Sequence, residues 1–325
     1  MCTACNYMAD NHYFGRNFDY EISYNERVTI TPRNYELEFK KISNIKTHYA
    51  IIGIAAGIDE YPLYYDACNE KGLAIAGLNF EGNAVYRDYT DDMINITPFE
   101  FIPYLLGTCE SVNEVKVLLS QVNLVNINFS KDLPLSPLHW MICDENEAIV
   151  VEPLEDGLKV YDNPVGVLTN NPCFDKQVFY LNNYIGLSNK NPDNTFGDGV
   201  DLKEYSRGMG AIGLPGDLSS SSRFVKASFT RANSYCDNDN LEGVSQFFHI
   251  LTSVEQQRGC TFIGDPDLYE YTIYSSCYNT NEGVLYYKTY YNSQISAVKL
   301  GNENLDSDEL INYVLVNDEQ LNFIN

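Results

Sequence analysis

Over residues 1–80 apolar and polar positions alternate with a period near two, or run apolar for five residues or more. Both patterns belong to strands, and they predict strands at 2–9, 13–20, 27–32, 35–40, 49–56 and 73–80, joined as antiparallel hairpins. The first hairpin turns at the polar run Asp10-Asn11-His12. Between 98 and 122 the period lengthens to that of a helix, and Ser111 and Glu114 are spaced as a capping box ahead of Val115, Leu118 and Leu119. A helical pair covering one sheet face is expected there. Strands resume at 138–143, 148–152, 158–161 and 165–168, helices are predicted at 174–187, 222–235 and 244–257, and the tail returns to strands at 269–278, 284–291, 294–300 and 310–316. The Ser-rich run 219–222 reads as a helix start, because serine caps helices and the apolar pattern begins directly after it. No Pro/Gly/Ser-rich linker and no internal repeat divides the chain. One domain over 1–325 is expected, an α+β layered fold in which sheets stack and helices cover the outer faces.

Composition changes the picture mainly through charge. With 44% hydrophobic residues the 325-residue chain has material for a large core, but 21 Lys and Arg stand against 45 Asp and Glu, a formal charge of −24. Such a surface repels phosphate backbones and anionic lipid, so neither nucleic acid nor membrane is an expected partner. An anionic substrate must then be held by local basic groups or by apolar burial. The N-terminus has no basic stretch leading into an apolar one, and the longest apolar run, 50–58, is too short to span a bilayer, which predicts a cytoplasmic protein. Nine cysteines, an odd number without framework spacing, predict reduced thiols and no structural disulfide.

Chemistry concentrates near the start. Once Met1 is removed, Cys2 carries a thiol and a free α-amine of intrinsic pKa about 7.7–8, so one residue supplies nucleophile and base. Two rivals use the same cysteine. Its CxxC spacing with Cys5 suggests metal or redox chemistry, but no second CxxC or HxxH completes a site, and strand residues three apart point to opposite faces. A Cys-His pair would need His12, His48, His139 or His249, none of which lies in a recognisable motif. In Phe14-Gly15-Arg16-Asn17-Phe18-Asp19, a cation and an anion stand on the strand that folds back against Cys2. They are either a surface ion pair or a buried Asp that orients the amine and an Arg that favours the thiolate. Asn79 and Asn170 sit at strand ends, as turn residues or as oxyanion donors worth roughly 3 kcal/mol each in a transition state. The residues alone leave those readings level.

Taken with Asn69-Glu70-Lys71-Gly72-Leu73, Leu138-His139-Trp140, Gly213-Leu214-Pro215-Gly216-Asp217, Ser222-Arg223-Phe224 and Tyr274-Ser275-Ser276-Cys277, these segments resemble the choloylglycine hydrolase family of N-terminal nucleophile hydrolases, which comprises bile salt hydrolases and penicillin V acylases. The resemblance runs from Met-Cys-Thr to the last strands. It implies an αββα four-layer sandwich, a homotetramer, no cofactor and no metal. It places the catalytic positions on Cys2, Arg16, Asp19, Asn79, Asn170 and Arg223, and a substrate pocket, in loop-like stretches, on Phe18, Ile58, Tyr65, Phe129, Leu133 and Leu138. Penicillin V acylases often carry Tyr where this chain has Asn79, and the chain most resembles bile salt hydrolases of gut-dwelling Gram-positive bacteria. The implied substrates are therefore bile salts conjugated to glycine or taurine, with penicillin V acylase, or an inactive sterol-binding protein on the same fold, as alternatives. Cys5, Cys173 and the pair Ser220-Ser221 depart from the family pattern or lie beside it.

Overall fold

β1 (Cys2–Met8) and β2 (His12–Tyr20) form the first hairpin, with Cys2 opposite Phe18 and Ala4 opposite Arg16. The structure, a computed structural model, describes residues 1–58, 61–237, 239–264 and 266–325. Along the chain follow β3 (Arg27–Thr31), β4 (Ile51–Ala55), β5 (Tyr64–Asn69), β6 (Ala74–Asn79), β7 (Ile94–Ile96), α1 (Phe101–Thr108), α2 (Val112–Leu119), β8 (Val122–Leu124), β9 (Leu138–Cys143), β10 (Ala148–Leu154), β11 (Gly157–Asp162), β12 (Val167–Leu168) and α3 (Phe174–Tyr180). The remainder is α4 (Ser220–Asn233), α5 (Asn240–Thr252), β13 (Thr261–Gly264), β14 (Leu268–Asn279), β15 (Val284–Thr289), β16 (Asn292–Lys299) and β17 (Ile311–Val314).

Among the described residues the strands form two large antiparallel sheets. The first runs β12-β1-β2-β14-β15-β16, with β13 added on β14; the second runs β11-β10-β9-β6-β5-β4-β3-β17. β1 and β2 face β6 across the gap between sheets, α4 and α5 pack on the first sheet, and α1 packs on β4, β5 and β6. The order of layers is helices, sheet, sheet, helices, as expected. Period two divides the second sheet between its neighbours: Ile52, Ile54, Met141 and Val150 belong to the core shared with the first sheet, while Ile51, Trp140, Ile142 and Ile149 pack against α1 and α2. A sheet covered on both faces explains why its strands read as continuous apolar runs. Gly15 allows β2 to lie this close to β14, since a Cβ there would collide with the Ser276 carbonyl.

Four expectations are corrected. The alternating stretch 35–40 is not a strand: it makes one isolated bridge, Leu37 to Ile45, because no neighbouring strand runs alongside to complete a ladder. β5 went unpredicted because its centre is the charged Asp66, which is buried. The predicted helix 174–187 ends at Tyr180 and tightens into a 3-10 turn, where the Asn182 and Asn183 amides bond back to the carbonyls of Phe179 and Tyr180. The Ser111 hydroxyl accepts from the Glu114 N–H as expected, but the Glu114 carboxylate reaches the N–H of Glu110 instead of closing the box on Ser111. Among the described residues, no helix is long and apolar enough to cross a membrane.

Candidate active site

The register of the first sheet brings the chain's start to its middle. β1 pairs with β12 through Ala4 and Leu168, so the backbone leaving β12 carries Asn170 to Cys2. The buried Cys2 N–H donates to Asn170 Oδ1 at 2.8 Å, and the thiol lies 3.9 Å from the main-chain oxygen of Asp19. α4 supplies Arg223, whose Nη2 donates to Asn170 Oδ1 at 2.8 Å while Nη1 donates to the Cys2 carbonyl and to Thr3 Oγ1 at 2.6 and 2.7 Å. Asn170 Nδ2 donates to the Asn79 carbonyl at 2.8 Å, tying the end of β6 in one sheet to the end of β12 in the other. Asp19 Oδ1 accepts from Thr272 Oγ1 at 2.6 Å, and Oδ2 lies 3.9 Å from Arg223 Nη1. Burial pushes the Asp19 carboxyl up from its ordinary value and the Arg223 guanidinium down, each opposed by the other's charge.

Arg16 spans the gap between sheets. Its Nη1 donates to the carbonyls of Gly77 and Tyr65 at 2.5 and 3.1 Å, and its guanidinium carbon sits 5.0 Å from the Phe18 ring centroid. Its Nη2 has no hydrogen-bond partner among the described residues, which leaves a buried donor on a side chain that lines the cleft. Asp66, also buried, accepts hydroxyl bonds from Tyr274, from Ser276 at 2.7 Å and from Tyr278 at 2.8 Å. Burial raises its carboxyl, opposed by Arg16.

The structure therefore brings all six expected catalytic positions into one cluster, and it adds a support that the sequence reading missed. Gln177 donates to the Asn170 and Pro172 carbonyls at 2.5 and 2.7 Å and accepts from Thr169 Oγ1. Ser220 Oγ accepts from the Asn170 N–H at 2.9 Å, which gives that departure from the family pattern a task. His139 contacts the Thr169 carbonyl through Nε2 at 2.9 Å and Glu152 through Nδ1 at 3.1 Å, with its ring stacked on Phe80. Nothing in the local sequence marks Gln177 or Glu152, since a polar side chain buried by the fold looks in sequence like one on the surface.

The same bonds bear on the rival readings of Cys2. His139 is engaged at both ring nitrogens, His48 bonds the carbonyls of Tyr49 and Tyr35, His12 bonds Thr280 and His249 is exposed, so none is placed as a base for Cys2. Cys5 bonds the Asn6 carbonyl, and burial pushes its thiol up to about 12. All nine cysteines are free, and among the described residues no group of three or more His, Cys, Asp or Glu side chains is placed to hold a metal ion.

The thiol opens on a cleft of about 960 Å³, within the roughly 300–1,000 Å³ usual for ligand sites, and all six expected pocket residues line it. Three of them correct the loop expectation, since Phe18, Tyr65 and Leu138 lie on strands. Phe18 packs on Tyr65 and Tyr274, and Phe129 packs on Tyr61 and Phe99. The lining also includes Tyr20, Tyr24, Leu135 and Ile263, with the carboxylates Glu21, Glu81, Asp132 and Glu270; Arg16 is the one Lys or Arg side chain among the described lining residues.

A cysteine at position 2, seated at the head of a strand in an αββα sandwich, is the arrangement of the N-terminal nucleophile hydrolase fold. The model of the "linear amide C–N hydrolases, choloylglycine hydrolase family" matches residues 2–313, and the chain belongs to that family. It is 62% identical over 325 residues to a bile salt hydrolase/transferase of Lactiplantibacillus plantarum, covering 100% of both chains. A conjugated bile acid hydrolase from Clostridium perfringens superposes with a TM-score of 0.91 at 37% identity over 100% of both chains. A penicillin V acylase from Agrobacterium tumefaciens shares the fold, with a TM-score of 0.75 at 18% identity over 96% of this chain and 91% of that one.

Proposed function

We infer that this chain is an amidase that hydrolyses the amide bond of glycine- or taurine-conjugated bile acids through Cys2. The observation that carries the reading is Cys2 itself: its nitrogen is held by Asn170 and its thiol opens on an apolar cleft, in a chain similar over its whole length to a bile salt hydrolase. The likeness to penicillin V acylase is one of fold, which makes that substrate the second choice.

Removal of Met1 turns the Cys2 nitrogen into a free amine. That amine takes the thiol proton as sulfur bonds to the scissile carbonyl carbon, and the carbonyl becomes an oxyanion. The Asn170 amide has two hydrogens, of which one is bonded to Asn79; the second, with the Asn79 main-chain N–H, stabilises the oxyanion. When the C–N bond breaks, the amine returns its proton to the departing glycine or taurine. Water then attacks the acyl thioester, the amine takes the water's proton, and C–S cleavage restores the thiol. Asp19 orients the amine, while Arg16 and Arg223 supply positive potential beside the anionic intermediate. Burying a few hundred Å² of steroid at about 25 cal/mol per Å² provides several kcal/mol, enough to outweigh repulsion from acidic rim residues that salt screens over ~8 Å.

We read the chain as one domain that works as a homotetramer in the cytoplasm. The exposed Phe179, Ile185, Phe196, Tyr205 and Ile212 offer apolar surface for a second copy, and nine free thiols suit a reducing compartment. Light scattering tests the assembly. The decisive test of function is mass spectrometry of the N-terminus combined with amino acid release from glycocholate, taurocholate and penicillin V. Release from the bile salts by the Met1-free chain is expected; faster turnover of penicillin V overturns the substrate reading.

A further inference from the structure

Glu270 is a carboxylate to which the mechanism above gives no task. It lies on β14 two residues before Thr272, so both side chains leave the strand on one face, and Thr272 holds Asp19. Glu270 is 3% exposed and lines the cleft with Cys2 and Asp19. Burying a carboxylate this deeply is unfavourable unless a cation meets it. The cation present is the chain's own α-ammonium: Met1 N forms an ion pair with Glu270 and donates to the Asp19 main-chain oxygen at 2.9 Å. The Cys2 thiol reaches that same oxygen, so the ammonium, the carboxylate and the nucleophile meet at one point. Other charges facing it are the Asp19 carboxylate and Arg16 from β2 and Arg223 from α4. Arg223 and the Nη1 of Arg16 are engaged with backbone or amide oxygens, and although Arg16 Nη2 has no hydrogen-bond partner among the described residues, the cation paired with Glu270 is the amine.

We propose that Glu270 is the counter-ion of the mature N-terminus: once Met1 is gone it pairs with the Cys2 α-ammonium, holds it beside the thiol, and sets the pH at which the amine is free to take the thiol proton. The proposal rests on the terminal-amine reading of Cys2. A negative neighbour favours the protonated amine, so removing the carboxylate makes the neutral amine available at lower pH.

The test follows alkylation of Cys2 by iodoacetamide against pH in the Met1-free protein, read by mass on the N-terminal peptide so that the exposed Cys260 does not contribute. Glycocholate hydrolysis is measured in parallel. In Glu270→Gln the acidic limb of both profiles is expected to move down by about one unit. Glu270→Asp, which sets the carboxylate one methylene further away, moves it less in the same direction and carries the comparison alone if the Gln variant fails to fold by circular dichroism. Coincident limbs in wild type and variants overturn the proposal. A limb that moves in alkylation, in a protein that releases no glycine from glycocholate, overturns the bile salt reading and leaves the role of Glu270 standing.

Discussion

Replacing Asn170 by Ala removes three contacts at once: acceptance from Cys2 N, acceptance from Arg223 Nη2 and donation to the Asn79 carbonyl, each at 2.8 Å. The side chain is 5% exposed, so the two donors it satisfies are left inside the protein. An unmet buried donor costs about 1–3 kcal/mol, which puts the loss of stability at about 2–6 kcal/mol. With an unfolding entropy near 2.1 cal/mol/K per residue over this length, Tm falls by about 3–9 °C. The chemical loss is separate: without an oxyanion donor, kcat drops by ~10²–10³ while KM changes little. Asn170→Asp separates the two effects. Its oxygens still accept from Cys2 N and Arg223, so most of the stability remains, but it cannot donate to an oxyanion, and kcat falls as in the Ala variant. The assay is glycine release from glycocholate under saturating substrate, beside a thermal melt of each protein. An Asn170→Asp variant within tenfold of wild-type kcat would refute the donor role and leave Asn170 as a turn residue that ties two sheets together.

A homogeneous Met1-retaining protein is expected to be inactive, because an acylated nitrogen has no basic lone pair, and Cys2→Ser should melt like wild type with turnover near background; full activity of either contradicts the terminal-amine mechanism. Cutting Phe129 or Leu133 to Ala should lower kcat/KM by the 1–3 kcal/mol typical of lost apolar contact, with weak dependence on ionic strength; a steep salt dependence with indifference to both changes would place recognition in the charged tail instead. His12, buried and with Nε2 unpartnered among the described residues, has its pKa lowered to about 4 by burial, opposed by Asp144. Below about pH 6.5 the unfolded chain takes up a proton that the folded chain refuses, so stability is complete above that pH and declines by about 3 kcal/mol on approaching pH 4. His12→Gln should flatten the melting temperature between pH 7 and 4.5, and an unchanged acid slope would exclude this source.

What the sequence by itself determined is the set of elements and the inventory of reactive groups. Continuous apolar runs at Ile51–Ala55 and 148–151 predicted strands because a strand covered on both faces has no polar side to show. Cys2 was legible because the pairing of a thiol with an α-amine follows from position in the chain once Met1 is removed, although that signal was weak until its context was read with it. Arg16, Asp19, Asn79, Asn170 and Arg223 were picked out by resemblance, while the residues alone left ion pair against orienting charge, and turn against donor, undecided. Tertiary structure supplied the burial and the pairing that sequence could not: Asn170 contacts Cys2 across 168 positions and Arg223 across 221, distances over which local periodicity carries no information. The same reason hid Gln177, Glu152, Asp66 and Glu270, which are polar letters in sequence and are brought into or beside the site only by the fold that buries them. It also unmade the strand expected at 35–40, whose alternation was correct but whose partner never arrives, because a ladder is a property of two segments and not of one.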